Sequence, residues 1–239
     1  MHRSKVPLTK WFLAIWLIAT SSKGVSGMKL AEWLGVDYRT AWYMGHRVRA
    51  MMADPDLGRL RGVVEADEMY HGGRKKPDDD DPGPKTGGSR RGRGHGRTPI
   101  LIATERNGSV RAKGISTHSS AEIGITLWRW LDRRAELVTD GLPAYRSIGR
   151  VQRAHRVVDH GRRRFSDGAG AHVNTAEGFI GLFRRAVQGT WHHVSQKHVD
   201  RYLTEVTWRH NRRDVSLTER FGAVLASGAG PLGYRRLVA

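Results

Sequence analysis

The sequence of 239 residues contains no cysteine. This absence excludes disulfides and cysteine-ligated zinc from this chain, and it is typical of cytoplasmic proteins. A long apolar run is missing too, because Trp11–Ala19 is shorter than the roughly 20 residues that a membrane-spanning helix needs. Ser21–Gly24 also lacks a signal-peptide cleavage site. We therefore expect Trp11–Ala19 to be a buried helix with Thr9 as its N-cap, and no association with a membrane.

Acidic residues are scarce relative to basic ones. The chain has 41 Lys plus Arg and 23 Asp plus Glu, which gives a formal net charge of +18 and a pI near 11.0. A surplus of this size favours a polyanionic partner, and nucleic acid is the most common one. An anionic membrane surface is a weaker alternative, since no long basic amphipathic helix stands out.

Residues 1–54 have the pattern of short helices. Met28–Leu34 is followed by a break at Gly35–Asp37, and a longer helix is expected over Tyr38–Met52 with Asp37 as its N-cap. A helix, a glycine turn and a second helix resemble the helix-turn-helix of DNA-binding proteins, with a plain three-helix unit as the alternative. The second helix would present the following side chains to DNA: Arg39, Thr40, His46, Arg47 and Arg49.

Residues 55–215 alternate between strand and helix patterns, which predicts one α/β domain with a mixed sheet flanked by helices. The expected strands are 59–70, 99–104, 109–115, 136–139 and 154–159, with a hairpin turn at Asn107-Gly108, and the expected helices are 119–134, 175–187 and 195–210. Residues 74–97 are rich in Gly, Pro, Asp and Arg and should form a flexible loop, and 161–171 is a second loop. Residues 216–239 are expected to be a C-terminal tail with a weak helix.

Two aspartates lie where predicted strands end and glycine follows, Asp67 and Asp140. Cutting a phosphodiester at neutral pH can use two divalent ions about 3.5–4 Å apart, and Mg²⁺ needs only one or two carboxylates from the protein. A third acid could come from the helix after Asn174. Without metal such carboxylates would repel each other, so at least one pKa should rise.

Each of these positions also has a purely structural interpretation. An aspartate after a strand is most often a turn or cap residue, and Asp140-Gly141 is a common turn pair. Asn174 is a natural N-cap, and Glu177 at a helix start interacts favourably with the helix dipole. The combination of these acids with a net charge of +18 favours the metal-site interpretation.

Five short motifs follow one another along the chain. They are Val-Glu-Ala-Asp-Glu-Met-Tyr-His-Gly-Gly at 64–73, Val-Thr-Asp-Gly-Leu-Pro-Ala-Tyr at 138–145, His-Val-Asn-Thr-Ala-Glu-Gly-Phe at 172–179, Gly-Thr-Trp-His-His-Val-Ser at 189–195 and Arg-His-Asn-Arg-Arg at 209–213. Together they resemble bacterial insertion-sequence transposases of the DDE type, specifically the insertion-sequence fifteen-ninety-five family with its ISXO-two-like domain. The resemblance implies an RNase H-like catalytic fold, a divalent metal (Mg²⁺ or Mn²⁺), and DNA as the substrate.

The resemblance also implies roles for single residues. Asp67 and Asp140 would be catalytic metal ligands. The third position would be Glu177 or Asn174, because the family has either a glutamate or an asparagine there, and we favour Glu177. Arg184 lies seven residues after Glu177 (184 − 177 = 7) on the same helix face, where the family usually has a lysine. Together with Arg185 it is expected to contact DNA phosphates.

A transposase of this kind would cut DNA at the ends of its element and join the freed 3′-hydroxyl to target DNA. It would act as a homo-oligomer on DNA, in the cytoplasm at the nucleoid. The family usually has an N-terminal zinc ribbon, and the absence of that ribbon here suggests a shortened copy. The alternative is therefore a catalytically inactive DNA-binding protein. A third hypothesis is an RNase H-like nuclease for RNA–DNA hybrids.

Overall fold

The structure is a computed structural model, and the residues that it describes are 4–55, 57–72, 97–158, 172–227, 232–234 and 237. Apart from Arg97, the two loops predicted over residues 74–97 and 161–171 lie outside these ranges. Within them, the helices are α1 (Leu8–Thr20), α2 (Gly27–Leu34), α3 (Tyr38–Met51), α4 (Ser120–Trp130), α5 (Arg146–Gly149), α6 (Asn174–Ala186), α7 (Val199–Asn211) and α8 (Leu217–Ala226). The strands are β1 (Val63–His71), β2 (Thr98–Glu105), β3 (Val110–Gly114), β4 (Glu136–Asp140) and β5 (Ala154–Val158).

The five strands form one mixed sheet in the order β3-β2-β1-β4-β5. β2 runs antiparallel to both β1 and β3, and the predicted hairpin turn is confirmed at Asn107, which has a positive φ of 58°. β4 and β5 are parallel to β1, as the intervening helices require. The prediction of an α/β fold with a mixed sheet flanked by helices is confirmed.

Helices cover both faces of the sheet. On one face, α4 and the segment around Tyr145 pack on Val64 and Ala66 of β1. On the other face, α6 and α7 pack on Met69 of β1 and on β2. Because side chains alternate along a strand, Glu65 and Asp67 lie on the α6 side together with Met69. This alternation decides which helix can reach each acid of β1.

The three N-terminal helices form a second core, and their caps follow the sequence pattern. The Asp37 side chain accepts a hydrogen bond from the Thr40 backbone N–H at 3.0 Å, which confirms it as the N-cap of α3. Gly35 ends α2 with a left-handed φ of 58°. The cap predicted at Thr9 is wrong, because α1 begins at Leu8 and Pro7 occupies the N-cap position. None of the helices in the described ranges is long and apolar enough to cross a membrane.

The buried face of α3 includes two polar residues that the sequence pattern placed on its exposed face. His46 is fully buried and Arg49 is 4% exposed. The Arg49 guanidinium donates to Glu205 of α7 over 2.7 Å, and the Arg209 guanidinium contacts the same carboxylate. The prediction that His46 and Arg49 face DNA is therefore wrong, because both side chains are buried where α3 packs against α7.

The chain after Asp214 returns to the N-terminal core. α8 has a capping box in which Ser216 and Glu219 bond to each other's backbone, and its Val224 is fully buried. Phe221 meets Trp16 of α1 edge to face, with ring centroids 5.6 Å apart. The predicted weak helix is thus a capped element of the fold, and it shares a core with residues far away in the sequence.

Burial of His46 predicts a loss of stability in acid. The imidazole is enclosed by Trp42, His198 and Tyr202, and burial, with the nearby charges of Arg49, His198 and Arg201, lowers its pKa to about 2 from 6.5. Below pH 6.5 the His46 imidazole is protonated in the unfolded chain but stays neutral in the folded chain. The stability of the folded state therefore falls increasingly as the pH drops below 6.5. The expected cost is about 1.4 kcal/mol per pH unit, or about 2 kcal/mol at pH 5.

Urea unfolding at pH 7.5 and pH 5.0 measures this effect. Between pH 7.5 and pH 5.0, the free energy of unfolding of His46→Leu should fall by about 2 kcal/mol less than that of the native chain. The control is His193→Leu, since His193 is exposed and the substitution should leave the acid loss of the native chain unchanged. An equal acid loss in the native chain and in His46→Leu would contradict the assignment.

Candidate active site

Asp67 and Asp140 lie side by side where the parallel pairing of β1 with β4 ends, Asp140 as the last residue of β4 and Asp67 in the middle of β1. The register pairs Ala66 of β1 with Thr139 of β4, so each aspartate is the next residue on its strand. The Asp67 carboxylate accepts a hydrogen bond from the Glu68 backbone N–H at 2.7 Å, and that of Asp140 accepts one from the Leu142 N–H at 3.1 Å. Both side chains are half-buried. The predicted strand-end position is confirmed for Asp140 and is wrong for Asp67, because β1 continues to His71.

Glu68 joins these two aspartates, and the sequence analysis did not single it out. Carboxylate oxygens of Asp67, Glu68 and Asp140 all lie within 4.8 Å of one another. The chain turns after Asp140 into a short 3₁₀ helix, Pro143–Tyr145, which brings Tyr145 back toward Glu68. The Tyr145 hydroxyl and Glu68 Oε1 are both buried. The signal for Glu68 was its place in the acidic run of β1.

The acids raise one another's cost of ionisation. The pKa of Glu68 is raised to about 7, mainly by burial and further by the charges of Asp140 and Asp67, while the Tyr145 hydroxyl opposes the shift. Burial also raises the pKa of Tyr145 well above its usual value. The expectation that one carboxylate of the site would have a raised pKa is met at Glu68. A cation would offset the repulsion that contributes to this shift.

Helix α6 is held at its start by an acid from the sheet. The Glu65 carboxylate is fully buried and accepts hydrogen bonds from the Thr175 N–H at 2.7 Å and the Ala176 N–H at 3.2 Å. It also pairs with Arg106 at 2.7 Å. Asn174 is not the N-cap that its residue type suggested, because it is the first residue of α6 and Val173 occupies the cap position without a side-chain bond. A distant carboxylate therefore replaces the local cap.

The same helix carries the two candidates for the third position. Glu65 contacts residues 175 and 176, and His71 meets Phe183 with ring centroids 5.6 Å apart, so α6 runs along β1 on the face of Asp67. Glu177 is exposed and lies between these two contacts in the sequence. Asn174 is exposed one turn earlier. Neither belongs to the described group of acids whose oxygens lie within 4.8 Å of one another.

Replacing Glu65 with Gln tests the remote cap of α6. The amide has one acceptor oxygen in place of two, so it cannot satisfy the helix start and Arg106 together. We expect a loss of about 1.5–3 kcal/mol in the free energy of unfolding, the range for hydrogen bonds to charged groups. Chemical denaturation measures the loss. Glu136→Gln is the matched control, because its pair with Arg156 is about 30% exposed and such pairs contribute at most about 1 kcal/mol. Equal effects of the two substitutions would refute a special role of Glu65.

The predicted DNA-contacting residues differ in their accessibility. Arg39 is exposed at the start of α3, and Arg184 and Arg185 are exposed on the last turns of α6. The Thr40 hydroxyl is bonded to Asp37. Arg47 is half-buried and donates to the Leu232 carbonyl at 3.1 Å and to the Tyr43 hydroxyl. Exposed cations therefore remain on α3 and α6, while Arg47 is engaged by the C-terminal segment.

The group of Asp67, Glu68 and Asp140 has the chemistry of a magnesium site. Its donors are carboxylate oxygens, which hard divalent cations prefer. Glu68 Oε1 is buried without a hydrogen-bond partner among the described residues, so Glu68 has unused acceptor capacity. The residues present therefore fit a divalent ion.

The fold and site are those of an α/β protein with a mixed five-stranded sheet and a candidate metal site formed by β1 and the end of β4. Residues 59–211 match the model of the ISXO2-like transposase domain, the IS1595-type group of DDE transposases. This match covers more than half of the sequence, and the chain belongs to that transposase family.

Solved structures similar to this chain include complexes of Mos1. The Mos1 strand transfer complex is 18% identical, with 98% of this chain and 82% of that chain covered and a TM-score of 0.33. The Mos1 paired-end complex with the left transposon end is 19% identical over 95% and 82% of the two chains, with a TM-score of 0.33. No curated protein matches the sequence. Since these scores are low, the family assignment depends on the match over residues 59–211.

Proposed function

We propose that the protein is a metal-dependent DNA transposase that cuts the ends of its element and joins them to target DNA. The observation that carries this proposal is the convergence of carboxylate oxygens of Asp67, Glu68 and Asp140 within 4.8 Å, in an ISXO2-like transposase domain. Asp67 and Glu68 come from β1 and Asp140 from β4, and a purely structural role would not require three carboxylates to be placed so close together.

Asp67 and Asp140 would hold Mg²⁺ or Mn²⁺, and Glu68 is placed to join them. The ion supplies polarisation of the phosphoryl oxygen and a lowered pKa of water. The hydrogen bonds from the Glu68 and Leu142 backbone N–H groups fix the orientation of the two aspartates. Packing of α4 and α6 on opposite faces of the sheet keeps the carboxylates in place while DNA is bound.

The third catalytic residue in this proposal is Glu177, with Asn174 as its competitor. Both are exposed on the helix that runs along β1. Glu177→Gln should then reduce cleavage at least about tenfold more than Asn174→Ala, because direct ligands matter more than their neighbours, which themselves contribute about 10–100-fold. Cleavage rates of the two variants, at equal DNA occupancy, measure the difference. A larger loss with Asn174→Ala would transfer the role to Asn174.

DNA would be held by the basic surface. Arg184 and Arg185 are exposed on α6 and Arg39 on α3, and cations at such positions contact phosphates without reading sequence. Both the element ends and the target would be partners, and the protein would act on them as a homo-oligomer at the nucleoid.

The test uses purified protein and a labelled duplex that carries the inverted repeat flanking the coding sequence. Cleavage at the repeat in Mg²⁺ or Mn²⁺, abolished by EDTA, is the expected result. An RNA–DNA hybrid of the same sequence should be a poor substrate, and preferential cutting of the hybrid would support an RNase H-like nuclease instead. Salt-sensitive DNA binding with no cutting in either metal would support the alternative, an inactive DNA-binding protein.

A further inference from the structure

A cavity of about 520 Å³ lies between the N-terminal helices and the segment that leads into α7. Its walls include Tyr38 and Trp42 of α3, Trp191, and Tyr202 of α7. The volume is in the range of pockets that bind small organic groups. The proposed metal ligands do not line it. It is therefore a site separate from the acid cluster.

The aromatic walls are held in place by edge-to-face contacts. The rings of Trp191 and Tyr202 have centroids 4.6 Å apart at 61°, and those of Trp42 and His198 are 5.3 Å apart at 68°. Tyr38 is 50% exposed and Trp42 is half-buried. The cavity thus has a fixed interior and an accessible ring near its opening. A flat aromatic ligand fits such a lining because it can stack on a ring face.

Polar groups in the lining can bond to the edge of a ligand. His198 is 8% exposed, and its Nδ1 has no hydrogen-bond partner among the described residues. Burial lowers the pKa of His198, so the neutral imidazole offers one donor and one acceptor nitrogen. Lys197 also lines the cavity and adds positive charge. This combination suits a nucleobase attached to a phosphate chain.

The cavity lies just beyond the strand that carries Asp67. The His71 ring bonds to the Val194 carbonyl at 2.9 Å, and Val194 lines the cavity. His71 ends β1, four residues after Asp67 (71 − 67 = 4). At about 3.3 Å per residue the strand covers roughly 13 Å between them. Stacked nucleotides rise about 3.4 Å each, so a base a few nucleotides from a phosphate at the acids could reach the cavity.

We propose that this cavity binds an unpaired nucleobase of the DNA strand that passes the acid cluster. This inference rests on the proposed function for its DNA substrate. A paired base is hidden inside the duplex, so only a base at a frayed, nicked or single-stranded position can enter. Stacking tolerates any base, and the cavity therefore selects DNA ends by their unpaired character.

The experiment compares three duplexes of the same sequence in the presence of EDTA: one blunt, one with five unpaired thymidines at a 3′ end and one with them at a 5′ end. Fluorescence anisotropy should show that the native chain binds at least one tailed duplex about fivefold or more tighter than the blunt one, the lower limit for stacking of one base. Tyr38→Ala and Trp42→Ala should remove this preference and keep the affinity for the blunt duplex. Trp128→Ala is the control, since Trp128 is 45% exposed on α4 and should change neither.

Equal affinity of the native chain for blunt and tailed DNA would overturn the proposal. So would an equal loss for both kinds of duplex with Tyr38→Ala, because that would show a general contact with DNA. Tyr38→Ala keeps the test valid if the more buried Trp42→Ala fails to fold. The assay contains no metal, so a failure of cleavage would leave this result unaffected, and a lost tail preference would leave the cleavage assignment unaffected.

Discussion

Replacing Asp67 with Asn is expected to reduce metal-dependent cleavage of element-end DNA by more than about 100-fold. Residues one step removed from a metal already contribute about 10–100-fold, and Asp67 is a direct ligand in the proposed site. The amide has the same size and retains one oxygen for the Glu68 backbone N–H. The fold should therefore survive, and DNA binding should be retained or strengthened because a negative charge is removed.

The measurement is the cleavage rate of labelled element ends in saturating Mg²⁺, with DNA binding followed in parallel. Asp214→Asn is the matched control, because it makes the same chemical change on a side chain that is 85% exposed and is not part of the acid group. It should cut at the native rate. Cleavage by Asp67→Asn within a few-fold of the native rate would remove Asp67 from the mechanism.

Replacing Glu205 with Ala is expected to reduce the free energy of unfolding by about 3–5 kcal/mol. Glu205 is fully buried and its carboxylate is shared by Arg49, 4% exposed, and Arg209, 7% exposed. Without it, two guanidinium groups would remain buried with no counter-charge, and breaking a buried pair in this way has that cost. For a chain of this size the midpoint of thermal unfolding should fall by about 10 °C.

Thermal and urea unfolding measure the effect. Glu32→Ala is the matched control, because its pair with Lys29 on α2 lies at 3.1 Å but the side chains are 66% and 48% exposed. Exposed pairs contribute about 0–1 kcal/mol, so the control should change little. A loss below about 1 kcal/mol for Glu205→Ala would mean that the two arginines find water or other partners.

The ion pair between Arg49 and Glu205 also shows how the N-terminal helices are connected to α7. Arg49 belongs to α3 and Glu205 to α7, 156 positions apart. Arg49 also lies over the Tyr202 ring, 4.0 Å from its centroid. The sequence pattern assigned Arg49 to a DNA-facing surface because arginine is usually exposed. Only a partner on a distant helix explains its burial.

Local patterns predicted much of this protein. Alternating apolar residues and glycine breaks located all five strands, and the capping residue Asp37 was found from residue type alone. Asp67 and Asp140 were recognised because each was predicted at a strand end close to glycine. These features depend on neighbours within a few residues, which the sequence shows directly.

The tertiary structure decided what those local patterns could not. Glu68 lies close to Asp140 because β4 pairs with β1 and ends at Asp140. The chain that follows Asp140 then places Tyr145 next to Glu68. Glu65 caps α6 across 110 positions of sequence, although Asn174 had the better residue type for that task. Such contacts exist only when distant segments of the chain pack together. The burial of a charged side chain, and not its residue type, then determines whether it is a surface group, a structural partner or a candidate ligand.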